Sequence, residues 1–164
     1  MMDNNLFVLC RKLGQLCDAK ETRIALAESC TGGMLSSLLT EVAGSSSWFN
    51  GAAIVYSNLA KENILGVDQN LIISRGAVSE DVAKAMAQGA LEKLHADLAM
   101  SITGIAGPSG GTKEKPVGMV CFALADKKDG VQSKTMHFTG GRANVRRCAC
   151  LFVLDWLMMH LSIQ

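Results

Sequence analysis

Two small polar side chains, Ser29 and Cys30, stand where the apolar run Arg23 to Ala27 gives way to Thr31-Gly32-Gly33-Met34-Leu35. A turn from strand to helix exposes a side chain beside unpaired backbone N–H groups. Those groups and the helix dipole favour an anion or a developing oxyanion, so a nucleophile there has its electrophilic partner supplied by the backbone. Cys30 is a rival nucleophile, because a thiol at a helix start has a lowered pKa and is intrinsically more reactive. Adjacent turn residues point in different directions, so one of the two faces the core. The reading takes Ser29 as the nucleophile.

Serine needs a base to accept its proton. Of the three histidines, His95 falls near the end of a helix, His137 in a strand and His160 near the C-terminus, and none has a neighbouring Asp in sequence. A Ser-His-Asp relay is therefore not expected. Lys61 is the better base: Tyr56-Ser57-Asn58 closes a strand and Lys61 follows one turn into a short helix. A lysine walled in by apolar groups loses its proton more readily, because burial disfavours the charged form. Tyr56, the only tyrosine, can relay a proton or hold the serine hydroxyl in line.

Gly104 to Gly118 carries both prolines and no apolar period, so it reads as a loop whose glycines let the backbone approach a ligand closely. Thr103, Gly104, Gly107 and Ser109 are its candidate contacts, while Lys113 and Lys115 read as solvated. Arg142 and Arg146, four residues apart on one helix face, form a fork suited to a phosphate.

The elements that must position these groups follow from periodicity. Residues 4–19 form an amphipathic helix. Strands are expected at 23–27, within 48–58, at 97–103, 117–125 and 132–138, the last two as a hairpin around 127–130. Helices are expected at 31–42, 59–65, 79–95 and 142–161. Alternating helix and strand, then a hairpin and a helix, predict an α/β fold: a three-layer α/β/α sandwich on a mixed, mainly parallel sheet of about five strands. Ser29, Tyr56 and the Gly104 loop then lie at carboxyl ends of strands, where ligands bind in open α/β sheets.

The 164 residues suit one domain spanning 1–164. Apolar residues make up 49% and no run reaches the length of a membrane span, and the start lacks a basic leader, so a cytoplasmic protein is expected. The six cysteines lack the paired spacings of a zinc site and read as small buried hydrophobes; neither metal nor cofactor is expected. A net charge of +1 argues against nucleic acid as a partner. Trp156, Leu157, Met158 and Met159 in the last helix suggest a surface covered by another copy, hence a homo-oligomer.

Five stretches, AESCTGG at 27–33, AGSSSWF at 43–49, YSNLAK at 56–61, GAVSE at 76–80 and SITGIAGPSGGTKEKPVG at 101–118, resemble in the same order the C-terminal domain of the competence-damage-inducible protein CinA. That family includes stand-alone nicotinamide-nucleotide amidohydrolases, the NMN deamidases. The resemblance covers nearly the whole chain and, without CinA's additional N-terminal domain, implies the stand-alone form. It implies metal-free hydrolysis of the carboxamide of nicotinamide mononucleotide, a small-molecule substrate. By motif it places the catalytic serine, tyrosine and lysine at Ser29, Tyr56 and Lys61. The oxyanion is then held by backbone N–H groups at Thr31, Gly32 and Gly33. Many relatives carry Gly-Asp-Arg where this chain has Gly140-Gly141-Arg142. The alternatives are a non-catalytic nucleotide-binding or assembly module on the same fold, or an amidase for a related amide.

Overall fold

The computed structural model describes residues 4–163. Five strands form one sheet in the order β2-β1-β3-β4-β5: β1 is Ile24–Glu28, β2 Phe49–Ile54, β3 Leu98–Gly104, β4 Met119–Asp126 and β5 Gly130–His137. β1 pairs in parallel with β2 and β3, while β4 runs antiparallel to both β3 and β5. Four strands thus point the same way and β4 alone is reversed, the mixed sheet that the residue pattern predicts. Six helices surround it: α1 (Asn4–Ala19), α2 (Met34–Thr40), α3 (Asn58–Leu65), α4 (Gln69–Arg75), α5 (Glu80–Lys93) and α6 (Arg142–Ile163).

Side-chain alternation decides which helices each face accepts. On one face lie Ile24 and Leu26 of β1, Leu98, Met100 and Ile102 of β3, and Val120, Phe122 and Leu124 of β4, packed against α1, α2 and α6. On the other lie Ala25, Ala27, Ala99, Cys121, Ala123 and Ala125, packed against α3, α4 and α5. Large residues hold the first layer off; small ones let α5 sit close. The Ser101 hydroxyl reaches the Ala83 carbonyl of α5 at 2.6 Å, and Ala83, Ala87 and Ala90 are fully buried beneath it. α5 in turn takes α3 tightly at Gly89, where a Cβ would stand 2.1 Å from the Leu65 carbonyl oxygen.

Two readings change here. Helix α4 falls in a stretch for which the sequence offered no element; three successive apolar residues, Leu71, Ile72 and Ile73, obscure its period, although Asp68 caps it by accepting from the Asn70 N–H at 2.8 Å. Trp156 and Leu157, read as part of an exposed apolar surface, are 3% and 1% exposed. Trp156 packs against Phe152 with the rings tilted by 59°, so these two side chains of α6 belong to its own core.

Candidate active site

Because β1 alternates, Glu28 points toward α2 with Ile24 and Leu26, and the next side chain, Ser29, points toward α3. β1 is the middle of the three parallel strands and is held on both sides to its end: the Val55 N–H donates to the Glu28 carbonyl at 2.8 Å and the Ser29 N–H to the Ile102 carbonyl at 3.0 Å. The chain then turns tightly, with the Gly32 N–H donating to the Ser29 carbonyl at 3.0 Å. Gly32 and Gly33 have φ of 57° and 89°, the left-handed region that glycine enters without steric cost. α2 therefore starts at Met34 rather than at Thr31.

Lys61 answers from α3. Ser57 caps that helix, accepting from the Ala60 N–H at 3.1 Å, and Lys61 lies on its buried side one turn before Leu65. Its Nζ is 3.1 Å from Ser29 Oγ, 2.9 Å from the Val55 carbonyl and 3.4 Å from the Tyr56 carbonyl. The residue is 1% exposed and its partners are uncharged oxygens. Burial pulls its pKa below the ordinary lysine value, against a smaller opposing effect of the Cys30 thiol. A neutral amine has two N–H groups and one lone pair. All three contacts are oxygens able to accept an N–H from Nζ, and in the neutral amine the lone pair is free to take the Ser29 hydroxyl proton instead.

Cys30 goes the other way. It is 6% exposed and belongs to the core cluster on the α2 side of the sheet, and burial pushes its thiol up to about 11, the reverse of an activated cysteine.

A cleft of about 250 Å³ opens beside Ser29 and Lys61, lined also by Cys30, Tyr56, Thr103, Gly104 and Arg142. Four further lining residues, Asn58, Ala77, Val78 and Ala106, were not among the residues expected from sequence. Asn58 was visible within YSNLAK, but nothing in sequence brings the segment before α5 to this wall. A larger hollow, about 360 Å³, lies at the other end of the sheet among Lys20, Asp97, Lys127 and Lys128. It holds no nucleophile–base pair, so the smaller cleft is the candidate site.

Arg142, at the start of α6, spans the cleft mouth. It donates to the Gly107 carbonyl at 3.0 Å and to the Tyr56 hydroxyl at 3.2 Å. Tyr56 is 63% exposed, so its hydroxyl stands at the rim. Position 141 is open, with nothing within 4 Å of a Cβ there, so glycine at that point is not a packing requirement.

Several predicted contacts are already engaged. Arg146 donates to the Thr31 carbonyl at 2.8 Å, gripping the turn instead of extending into the cleft. The Thr103 hydroxyl donates to the Ala77 carbonyl at 2.8 Å and so braces the cleft wall. Gly104 lines the cleft, and a Cβ there would press on Val120 at 2.8 Å. Lys115, read as solvated, donates to the Arg75 carbonyl. The oxyanion reading narrows for a physical reason: the Gly32 N–H is taken by Ser29 and the Gly33 N–H by the Glu28 carboxylate at 3.0 Å. Of the three, only Thr31 keeps its N–H without an acceptor among the described residues, and the Cys30 N–H joins it.

His160 does meet a carboxylate, Asp126, at 2.7 Å, but Asp126 pairs in register with Leu98 at the start of β3, the opposite end of the sheet from Ser29.

Comparisons with known proteins agree with this architecture. The model of the CinA C-terminal domain matches residues 8–161. Nicotinamide-nucleotide amidohydrolase PncC of Escherichia coli K12 is 44% identical over 157 residues, covering 96% of this chain and 95% of that protein. A CinA-like protein of Citrifermentans bemidjiense is 48% identical over 98% of this chain, which spans only 37% of that longer protein. Among solved structures, the competence/damage inducible protein CihA of Agrobacterium tumefaciens superposes with a TM-score of 0.94 at 35% identity, over 99% of this chain and 98% of its own. With the family model matched over nearly its full length and the fold shared, the chain belongs to the CinA C-terminal domain family.

Proposed function

We propose that the chain is an amidohydrolase that converts the carboxamide of nicotinamide mononucleotide into the carboxylate of nicotinate mononucleotide, releasing ammonia. One observation carries the reading: a buried lysine with no charged partner among the described residues, its Nζ 3.1 Å from the hydroxyl of a serine at the end of the middle parallel strand. The activity named for the PncC relative, similar along almost its whole length, supplies the substrate.

In this mechanism Lys61, neutral, takes the Ser29 proton directly as Ser29 Oγ attacks the amide carbon. The Cys30 and Thr31 N–H groups hold the oxyanion. Protonated Lys61 then gives its proton to the departing nitrogen, and ammonia leaves an ester on Ser29. Lys61 next takes a proton from water, the hydroxide carbon–oxygen bond forms, and Ser29 recovers its proton as the acid departs. No metal or cofactor enters. Arg142 releases the Tyr56 hydroxyl to meet the substrate phosphate, and Tyr56 contacts the substrate at the cleft rim. Thr103, Gly104 and Gly107 shape the wall, and Arg146 acts through the turn it holds.

The test is release of ammonia from nicotinamide mononucleotide, nicotinamide riboside and nicotinamide in parallel. Release from the mononucleotide alone is expected. Release only from another amide would replace the substrate, and none from any at micromolar enzyme would leave a nucleotide-binding module. We further propose a cytoplasmic, self-associating protein with no nucleic-acid or membrane partner. No described helix is long and apolar enough to cross a membrane, and Ile54, Leu59 and Ile64 are exposed apolar side chains on and beyond the outer strand β2. Sedimentation at the 17.4 kDa monomer mass at all concentrations would end the self-association.

A further inference from the structure

Glu28 is an acidic residue with no exposure at all, in a strand otherwise made of Ile, Ala and Leu. Burying a carboxylate is costly unless hydrogen bonds replace the water it gives up. Here it accepts three backbone N–H groups from the start of α2: Gly33 at 3.0 Å and Leu35 at 3.3 Å on one oxygen, Ser36 at 2.8 Å on the other. These donors are the N–H groups that a helix start leaves unpaired. The enzyme thus fills its own anion-attracting helix end with an internal carboxylate.

The consequence falls on the turn between them. Ser29 and Gly32 are joined by the 3.0 Å bond that closes it, which makes Cys30 and Thr31 its two central residues, whose N–H groups have no place in the turn's own bond. Glu28 fixes the turn from before and from beyond, because its backbone is locked in the sheet while its side chain holds residues 33, 35 and 36. Arg146 holds the Thr31 carbonyl from a third side.

We propose that Glu28 is the positioning residue of the oxyanion site: it removes the α2 amides from competition and holds the Cys30 and Thr31 N–H groups toward the carbonyl oxygen of the substrate. This rests on the amidohydrolase reading above.

Two experiments test it, both begun only after wild-type enzyme has been shown to release ammonia, so that failure of the activity and failure of the inference are separable. In the first, the pyridine-3-carboxaldehyde analogue of the substrate adds the Ser29 hydroxyl across its carbonyl to give a hemiacetal, a mimic of the tetrahedral intermediate. Glu28→Gln is expected to lower kcat by about 10- to 1,000-fold with KM within about threefold. Affinity for the aldehyde should fall in parallel, while affinity for the product nicotinate mononucleotide stays within about threefold. A purely structural role would weaken aldehyde and product equally, and that result overturns the proposal. The second needs no variant and holds if Glu28→Gln does not fold. In amide hydrogen exchange on wild-type enzyme, Gly33, Leu35 and Ser36 should be protected without ligand, and Cys30 and Thr31 should gain protection only with the aldehyde. Gain of protection at Gly33, Leu35 and Ser36 instead would make them the oxyanion donors and refute the assignment.

Discussion

In the proposed mechanism Lys61 is the residue whose titration controls the site. A base must be neutral to accept the Ser29 proton, and burial lowers its pKa from the ordinary value near 10.4. kcat/KM should therefore rise with pH through the lowered Lys61 value, giving an acid limb below that of a free lysine, and Lys61→Met should abolish both activity and limb. The same shift appears in stability. Where the unfolded chain holds a proton that the folded chain has released, stability rises with pH. Between the lowered folded value and about 10.4, wild type should thus gain stability relative to Lys61→Met as pH increases, and lose the gain below that window. Guanidinium denaturation at a series of pH values measures the difference. Cys30→Ala, by contrast, should keep kcat within about threefold, because its raised thiol packs in the core; steady-state kinetics on the variant decide it. That Ser29 and Lys61 stand at neighbouring strand-to-helix junctions was legible from type and spacing, and the structure brings them to 3.1 Å. Glu28, Arg146 and Thr103 were not read in their structural roles, because their partners, the amides of α2, the Thr31 carbonyl and the Ala77 carbonyl, are brought near only by tertiary packing. A charged residue closing an apolar strand was the one available signal for Glu28.

Among the elements, α3 carries Lys61, the proposed base, and α5 decides where α3 lies. Gly89 meets the Leu65 carbonyl so closely that even a methyl has no room. Gly89→Ala should cost about 1–3 kcal/mol of stability despite the better helix propensity of alanine. It should also lower kcat by displacing Lys61 from Ser29; a melting curve and kinetics on the same preparation test both. Loss of stability with unchanged kcat would separate α3 placement from catalysis. Helix and strand order was readable here because the faces alternate so cleanly, large against α1 and α6, small against α5. Boundaries moved where backbone hydrogen bonding overrode the apolar pattern: α2 begins three residues late because Gly32 and Gly33 belong to the turn, and β2 ends at Ile54, leaving Tyr56 in the connection to α3. α4 escaped because its exposed Ile73, 75% accessible, breaks the amphipathic period.

Across the whole molecule the two ends of the sheet divide the work. The carboxyl ends of β1, β2 and β3 bring Ser29, Tyr56 and Gly104 together, while at the far end the Asp126–His160 pair ties the β4–β5 hairpin to the last helix. His160→Gln should therefore lower the melting temperature, by about 1 kcal/mol in stability, and leave kcat/KM unchanged; altered kinetics would show that the ends are coupled. The α/β class and the side of the sheet that bears the site follow from topology and were legible. The burial of Trp156 was not, since it depends on how α6 meets β5 and Lys134, whose ammonium sits 4.5 Å over the ring. The most direct measurement on the proposed chemistry is acid quenching of enzyme mixed with nicotinamide mononucleotide, followed by peptide mass spectrometry. An acyl group on Ser29, absent from Ser29→Ala along with ammonia release, is the expected result. An acyl group on Cys30, or ammonia release that persists in Ser29→Ala, would contradict it.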